Sequence, residues 1–274
     1  MRKIQYQLVN VFTTEHLFSG NPLAVFPDAS AITATEMAAL GQQMNLSEIT
    51  FVTPSDQADA AVRIFTPSYE MPFAGHPTLG TAFVIAQGRP QLTLQMKAGL
   101  IPVQVDGHQV TLTANSPSYR DGPELTALAS ALGICSSHIV EQPLFVNCGT
   151  EQLIIQLDRA DSVAACQPIS EQFMQVAINL EGRAGALVWA YAGETVIARY
   201  FWNQNGVSAE DFGTGSACAN LGGFLLAQNK PTPFSLIVEQ GHRIDRIARL
   251  QLDVDTSIKV SGQVHQIGQG EFWI

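Results

Sequence analysis

Two short stretches of the 274-residue chain set polar side chains beside glycines where helices are expected to begin: Gly75-His76-Pro77-Thr78 and Asp211-Phe212-Gly213-Thr214-Gly215-Ser216. A helix N-terminus leaves backbone N–H groups unpaired and carries a partial positive charge, so it binds a carboxylate or phosphate without Lys or Arg. The glycines allow close backbone approach, Pro77 forfeits no needed N–H at a helix start, and Ser216 can cap or donate its hydroxyl. Two such starts facing each other would make an anion clamp, whereas capped core helices would leave the same spacing. Candidate acid/base groups lie close by. Glu48, in Asn45-Leu46-Ser47-Glu48-Ile49-Thr50-Phe51, falls where a helix ends and an apolar strand begins, and partial desolvation there raises a carboxyl toward the range useful for general acid/base work. Asp211 precedes the second glycine loop, and His76 sits between Gly75 and Pro77 as a proton donor or acceptor. Each also has a plain structural reading, as a solvated turn carboxylate or a satisfied turn histidine.

The elements that must position these groups are mostly strands. Apolar residues alternate at Ile4, Tyr6 and Leu8 and again at Val62 and Ile64. Leu92, Leu94 and Met96, then Ile101, Val103 and Val105, then Val110 and Leu112 read as an antiparallel meander, with turns at Ala98-Gly99 and Asp106-Gly107. One helix opens with the capping box Thr33-x-x-Glu36, carries Met37, Leu40 and Met44 on one face, and stops near Asn45. Two others, from Pro77 to about Gln87 and from Ser216 to about Gln228, are apolar nearly all round and belong inside a structure. Their similar glycine-led starts form a faint internal repeat, with the polar stretch 116–123 (SPSYRDGP) as the expected linker.

Composition narrows the function classes. Hydrophobic residues make up 46% of the chain and charged residues only 14%, against roughly a quarter in an average globular protein, so the chain should fold. With 14 Lys and Arg against 24 Asp and Glu, the net charge is −10, and the basic surface that nucleic acid requires is missing. No apolar run approaches the roughly 20 residues of a membrane span, and the start lacks a signal-peptide pattern. A cytoplasmic protein without a membrane partner is expected. Cys135, Cys148, Cys166 and Cys218 form no CxxC pair or zinc-like spacing with His, and are expected as reduced core residues. Neither nucleotide-binding glycine motif occurs at 213–216, and no G-x-S-x-G elbow is present.

The chain resembles the phenazine-biosynthesis PhzF-like isomerase family. The resemblance rests on Gly20-Asn21-Pro22-Leu23-Ala24-Val25, Asn45 to Phe51, Val62-Arg63-Ile64-Phe65-Thr66-Pro67, Phe73 to Ala82, and Glu210-Asp211-Phe212-Gly213-Thr214-Gly215-Ser216-Ala217, in the family's order. It implies an α/β (α+β) diaminopimelate-epimerase-like fold of two similar domains, each with strands wrapped around a central helix and an active site in the cleft between them. The expected domains are 1–115, with 261–274 returning to it, and 116–260. It further implies a homodimer, no metal or organic cofactor, and a small carboxylate-bearing substrate, which in the phenazine enzyme is trans-2,3-dihydro-3-hydroxyanthranilate. By motif, Glu48 would shuttle the proton, with His76, Asp211 and Ser216 completing the polar site. The backbone around Gly75, Pro77 and Thr78 and around Gly213, Thr214 and Gly215 would hold the substrate.

Epimerase and racemase cousins of this fold carry a thiol in each glycine motif, where this chain has Ala74 and Phe212, so a two-cysteine racemase is disfavoured. Two departures bear on the pocket wall: Phe212 stands where the family commonly has Pro, and Asp245 replaces the second glycine of the family's Gln-Gly…Gly-Arg segment, in which Arg246 is kept. They motivate an alternative, a non-catalytic carboxylate-binding protein on the same fold. A further alternative makes Cys148 or Cys218 a nucleophile paired with a histidine.

Overall fold

The computed structural model describes residues 1–204 and 206–274. The chain divides into two compact units, one formed by 1–113 with 261–274 and the other by 114–260. The first contains β1 (Lys3–Thr13), β2 (Asn21–Phe26), α1 (Ala34–Met44), β3 (Ile49–Thr53), β4 (Ala60–Phe65), β5 (Glu70–Met71), α2 (Gly75–Ala86), β6 (Gln91–Met96), β7 (Gly99–Asp106) and β8 (Gln109–Thr113). The second contains β9 (Ser118–Asp121), α3 (Leu125–Leu132), β10 (Leu144–Asn147), β11 (Glu151–Gln156), α4 (Ala160–Ala165), α5 (Ser170–Ala177), β12 (Gly185–Ala192), β13 (Thr195–Gln204), β14 (Val207–Asp211), α6 (Gly215–Ala227), β15 (Phe234–Gln240) and β16 (Ala248–Val254). The last strand, β17 (Ile258–Trp273), runs out of the second unit's sequence into the first's.

In the first unit the strands wrap around α2. β1 pairs antiparallel with β2, β2 parallel with β3, β3 antiparallel with β4, and β4 parallel with β6. The β6–β7–β8 meander follows, and β17 bridges β8 back to β1, so the ring closes. Closure removes the exposed edges of the sheet. The second unit repeats this order: β10 antiparallel to β11, β11 parallel to β12, β12 antiparallel to β13, β13 parallel to β15, and β15 antiparallel to β16, with α6 against β10, β11 and β16.

The duplication extends to side chains. Across β4–β5, Phe65 faces Glu70, and Arg63 binds that carboxylate through Nε and Nη2 at 2.8 Å each. Across β13–β14, Phe201 faces Glu210, and Arg199 does the same at 3.1 and 2.7 Å. Each guanidinium also lies over its phenylalanine ring, 5.1 and 4.6 Å from the centroids. These bidentate pairs fix the short strand that delivers the chain to each buried helix. They align Ala74-Gly75-His76 with Thr214-Gly215-Ser216, because each helix begins the same distance beyond its glutamate.

A helix apolar on every side is stable here because strands surround it, and the approach is close enough to need glycine. A Cβ at Gly80 would stand 2.6 Å from Leu23 Cδ2 and 3.0 Å from Val11 Cγ2. Gly80→Val is therefore expected to overpack the first barrel and cost about 2 kcal/mol, read as a lower urea midpoint at unchanged slope. An unchanged or raised midpoint would show that the wall yields.

Several expectations need correction. Stretch 116–123 is not a bare linker: Ser118–Asp121 form β9, paired with β10. Helices α3 to α5 are additional to those expected from the pattern; α3 and α5 cover the outer core around Leu128, Leu132, Phe145 and Phe173. All four cysteines are free and three are buried, but Cys135 is exposed, in the turn after α3. There the Ser137 hydroxyl and neighbouring amides pull its thiol pKa below the usual value. No helix among the described residues is long and apolar enough to cross a membrane.

Candidate active site

In the first unit the sequence places a carboxylate at the mouth of the buried helix. α1 ends where Asn45 turns into the left-handed region (φ 50°) and donates its N–H to Gly41 O. β3 then locks onto β2 with Ile49 beside Ala24. Glu48 lies between these two fixed points, its side chain 16% exposed, with Oε2 3.6 Å from His76 Nε2. His76 is 3% exposed, and burial pushes its pKa down to about 3, so the ring is neutral at neutral pH. Its other nitrogen, Nδ1, lies 3.3 Å from Asn21 Nδ2.

The start of α2 carries no side-chain cap. Pro77 lacks an N–H, and Thr78 is committed to the helix, donating both its N–H (3.3 Å) and its hydroxyl (2.7 Å) to Ala74 O. The amides of Gly75 and His76 are thus the first-turn donors suited to an anion. Glu48 and His76 are brought together, with Gly75 beside them, while Pro77 and Thr78 are buried within the helix.

The second unit builds its helix start differently. Thr214 is the N-cap residue, but its hydroxyl donates to Asp211 Oδ2 at 2.6 Å rather than capping, and its N–H donates to Gln240 Oε1 at 2.8 Å. The first-turn amides of Gly215, Ser216 and Ala217 follow. Ser216 Oγ accepts from Gln152 Nε2 at 3.0 Å. Asp211, Thr214 and Ser216 thus gather around one turn, with Gly213 and Gly215 in its backbone. The strand register sets Gly185 where the first unit has Glu48; a Cβ there would collide with the Tyr200 hydroxyl, which fills the space. Only one copy carries a carboxylate at that position.

The same register corrects the comparison with thiol-bearing cousins. The residue equivalent to Ala74 is Thr214, not Phe212, and neither is cysteine. Cys148 and Cys218 are buried with raised thiol pKa values, Cys148 to about 12, so neither supplies a thiolate at neutral pH. Among the described residues no three His, Cys, Asp or Glu side chains are grouped to hold a metal ion.

The two departures from the family pattern shape one loop. Arg246 lies over the Phe212 ring at 5.2 Å, and burial lowers the guanidinium's pKa. Gly241 adopts φ 82°, and a Cβ there would run into the Arg246 carbonyl. Asp245 also adopts a positive φ, 53°, the conformation that makes glycine favourable at this place and that Asp tolerates better than most residues. Sequence reasoning misses Asn21, Gln152, Asn220 and Gln240 as site residues. Asn21 stands in the Gly20-Asn21-Pro22 motif, which is its available signal.

Residues 9–270 match the family model described as "Phenazine biosynthesis-like protein". The chain is 38% identical to an uncharacterized isomerase of Pasteurella multocida, over 98% of this chain and 94% of that one. It is 30% identical to the trans-2,3-dihydro-3-hydroxyanthranilate isomerase of Pseudomonas aeruginosa, over 98% and 99%. A phenazine biosynthesis protein of the PhzF family from Bacillus anthracis superposes with a TM-score of 0.87 at 25% identity, over the whole of both chains. A hydroxyproline epimerase from Agrobacterium vitis, at 12% identity and a TM-score of 0.68 over 98% of this chain and 92% of that one, shares the fold. With the epimerase-like wrap of strands around a buried helix and a match spanning nearly its whole length, the chain is an isomerase of the phenazine biosynthesis-like family.

Proposed function

We propose that this isomerase moves a proton on a small carboxylate-bearing substrate, with Glu48 as the group that takes and returns it. The observation that carries the reading is Glu48 Oε2 set 3.6 Å from Nε2 of a buried, neutral His76 at the start of α2. A carboxylate beside a neutral imidazole can act as base, and once protonated it is the acid, so one group serves both halves of the transfer. The C–H bond at the donor carbon breaks, its electron pair enters the substrate's unsaturated system, and the same proton is delivered to another carbon. The uncapped amides of Gly75 and His76 suit the developing negative charge. Asp211, Thr214 and Ser216, with the backbone at Gly213 and Gly215, are proposed to bind and polarise substrate in the same reaction. The scheme uses no metal or organic cofactor. By resemblance to the family, the protein is proposed to be a cytoplasmic homodimer, and light scattering of the purified protein tests the dimer.

Similarity to the Pseudomonas isomerase makes trans-2,3-dihydro-3-hydroxyanthranilate the first compound to try, followed by small cyclic and acyclic hydroxy and amino acids. Product formation or substrate deuteration in D₂O supports the isomerase reading. The Phe212–Arg246 stack and the left-handed Asp245 motivate a second reading, a carboxylate-binding protein without turnover. It is favoured if a compound stabilises the fold by RT ln(1 + [L]/Kd) with neither product formation nor exchange at any carbon.

A further inference from the structure

Each unit places a buried side-chain amide against the second residue of its central helix. In the first, Asn21 at the start of β2 is fully buried. Ser47 Oγ donates to its Oδ1 at 3.4 Å, and its Nδ2 faces His76 Nδ1 at 3.3 Å. An NH₂ group can only donate, so Nδ1 must be the acceptor and the proton of a neutral ring resides on Nε2. That is the nitrogen turned toward Glu48.

In the second unit, Gln152 on β11 is 4% exposed, and the direction of its amide is fixed from the backbone. Cys148 N–H donates to Asn220 Oδ1 at 2.8 Å, so Asn220 Nδ2 is the donor end. It reaches Thr150 O at 2.9 Å and Gln152 Oε1 at 2.8 Å. Gln152 Nε2 is therefore the end that faces Ser216 Oγ at 3.0 Å and the Tyr200 hydroxyl at 3.1 Å. With its oxygen already accepting there, the Ser216 hydroxyl directs its own hydrogen elsewhere. Asn21 and Gln152 come from equivalent strands but do not share a register position, so each unit reaches the arrangement by a different residue.

We propose that Asn21 and Gln152 are positioning residues, one per unit, which hold His76 as its Nε2–H tautomer and turn the Ser216 hydrogen away from Gln152, leaving both groups as donors. The functional meaning rests on the isomerase reading above; the hydrogen positions do not.

The test is histidine-selective ¹⁵N labelling of the full chain and two-bond ¹H–¹⁵N correlation, with His76→Gln used to identify the signal. At neutral pH wild type should show a pyridine-type Nδ1 and a pyrrole-type Nε2. Asn21→Asp replaces the donor with an acceptor and should move the proton to Nδ1. A pyrrole-type Nδ1 in wild type overturns the assignment without any variant, and so does an unchanged tautomer in folded Asn21→Asp. For Ser216, neutron diffraction from deuterated crystals should place the hydroxyl deuteron away from Gln152 Nε2, and a deuteron aimed at Gln152 overturns that half. Neither readout uses substrate. Correct tautomers without turnover would fault the proposed reaction, and a wrong tautomer with turnover would fault this inference.

Discussion

Glu48→Gln is expected to lower turnover by about 10³-fold, within the span typical of general acid/base catalysis, while the protein stays folded and still binds substrate. Glutamine preserves the size and most of the hydrogen-bonding capacity of the side chain, so the strand that carries it, pinned at Ile49 against β2, has no reason to move. What it removes is the titratable carboxylate beside His76 Nε2. The loss should fall on kcat with little change in KM, the pattern of an interaction made in the transition state. Ligand-induced stabilisation of the variant should match that of wild type. A variant retaining more than a tenth of wild-type turnover would remove Glu48 from the mechanism.

The second large effect is on acid stability. His76 has a pKa of about 3 in the folded protein, against an ordinary value of 6.5, because burial disfavours the imidazolium. Between those values the unfolded chain binds more protons at this residue than the folded one, so stability rises with pH there. The contribution is complete above about pH 6.5, declines as pH falls through that value, and levels off near pH 3. Between pH 7 and pH 4 it amounts to on the order of 3 kcal/mol. His76→Gln should unfold with a correspondingly flatter dependence of urea midpoint on pH. An identical slope in the two proteins would mean that His76 takes up its proton without opening the site.

Glycine-led, wholly apolar segments mark the two central helices by composition alone, since such a segment is stable only when surrounded. The capping box Thr33–Glu36 and the Asn45 stop are legible for a similarly local reason, a side chain meeting its own backbone. By contrast, β9 carries no signal of its own because Ser118–Asp121 is polar and largely exposed, and it owes its strand form to β10. Glu48 and His76 can be named from their motifs, but their juxtaposition depends on β2 and β3 pairing in parallel, a long-range register that spacing does not encode. Arg63 and Glu70, like Arg199 and Glu210, are ordinary charges in the linear chain. They become a repeat only once the hairpins set each glutamate opposite a phenylalanine, within reach of the arginine two residues before that ring.

Glu48 as the proton carrier is tested most directly by proton NMR in D₂O with trans-2,3-dihydro-3-hydroxyanthranilate, wild type and Glu48→Gln side by side. Substrate deuteration or product formation is expected with wild type and not with the variant. Equal deuteration or product formation by the two proteins would contradict the assignment.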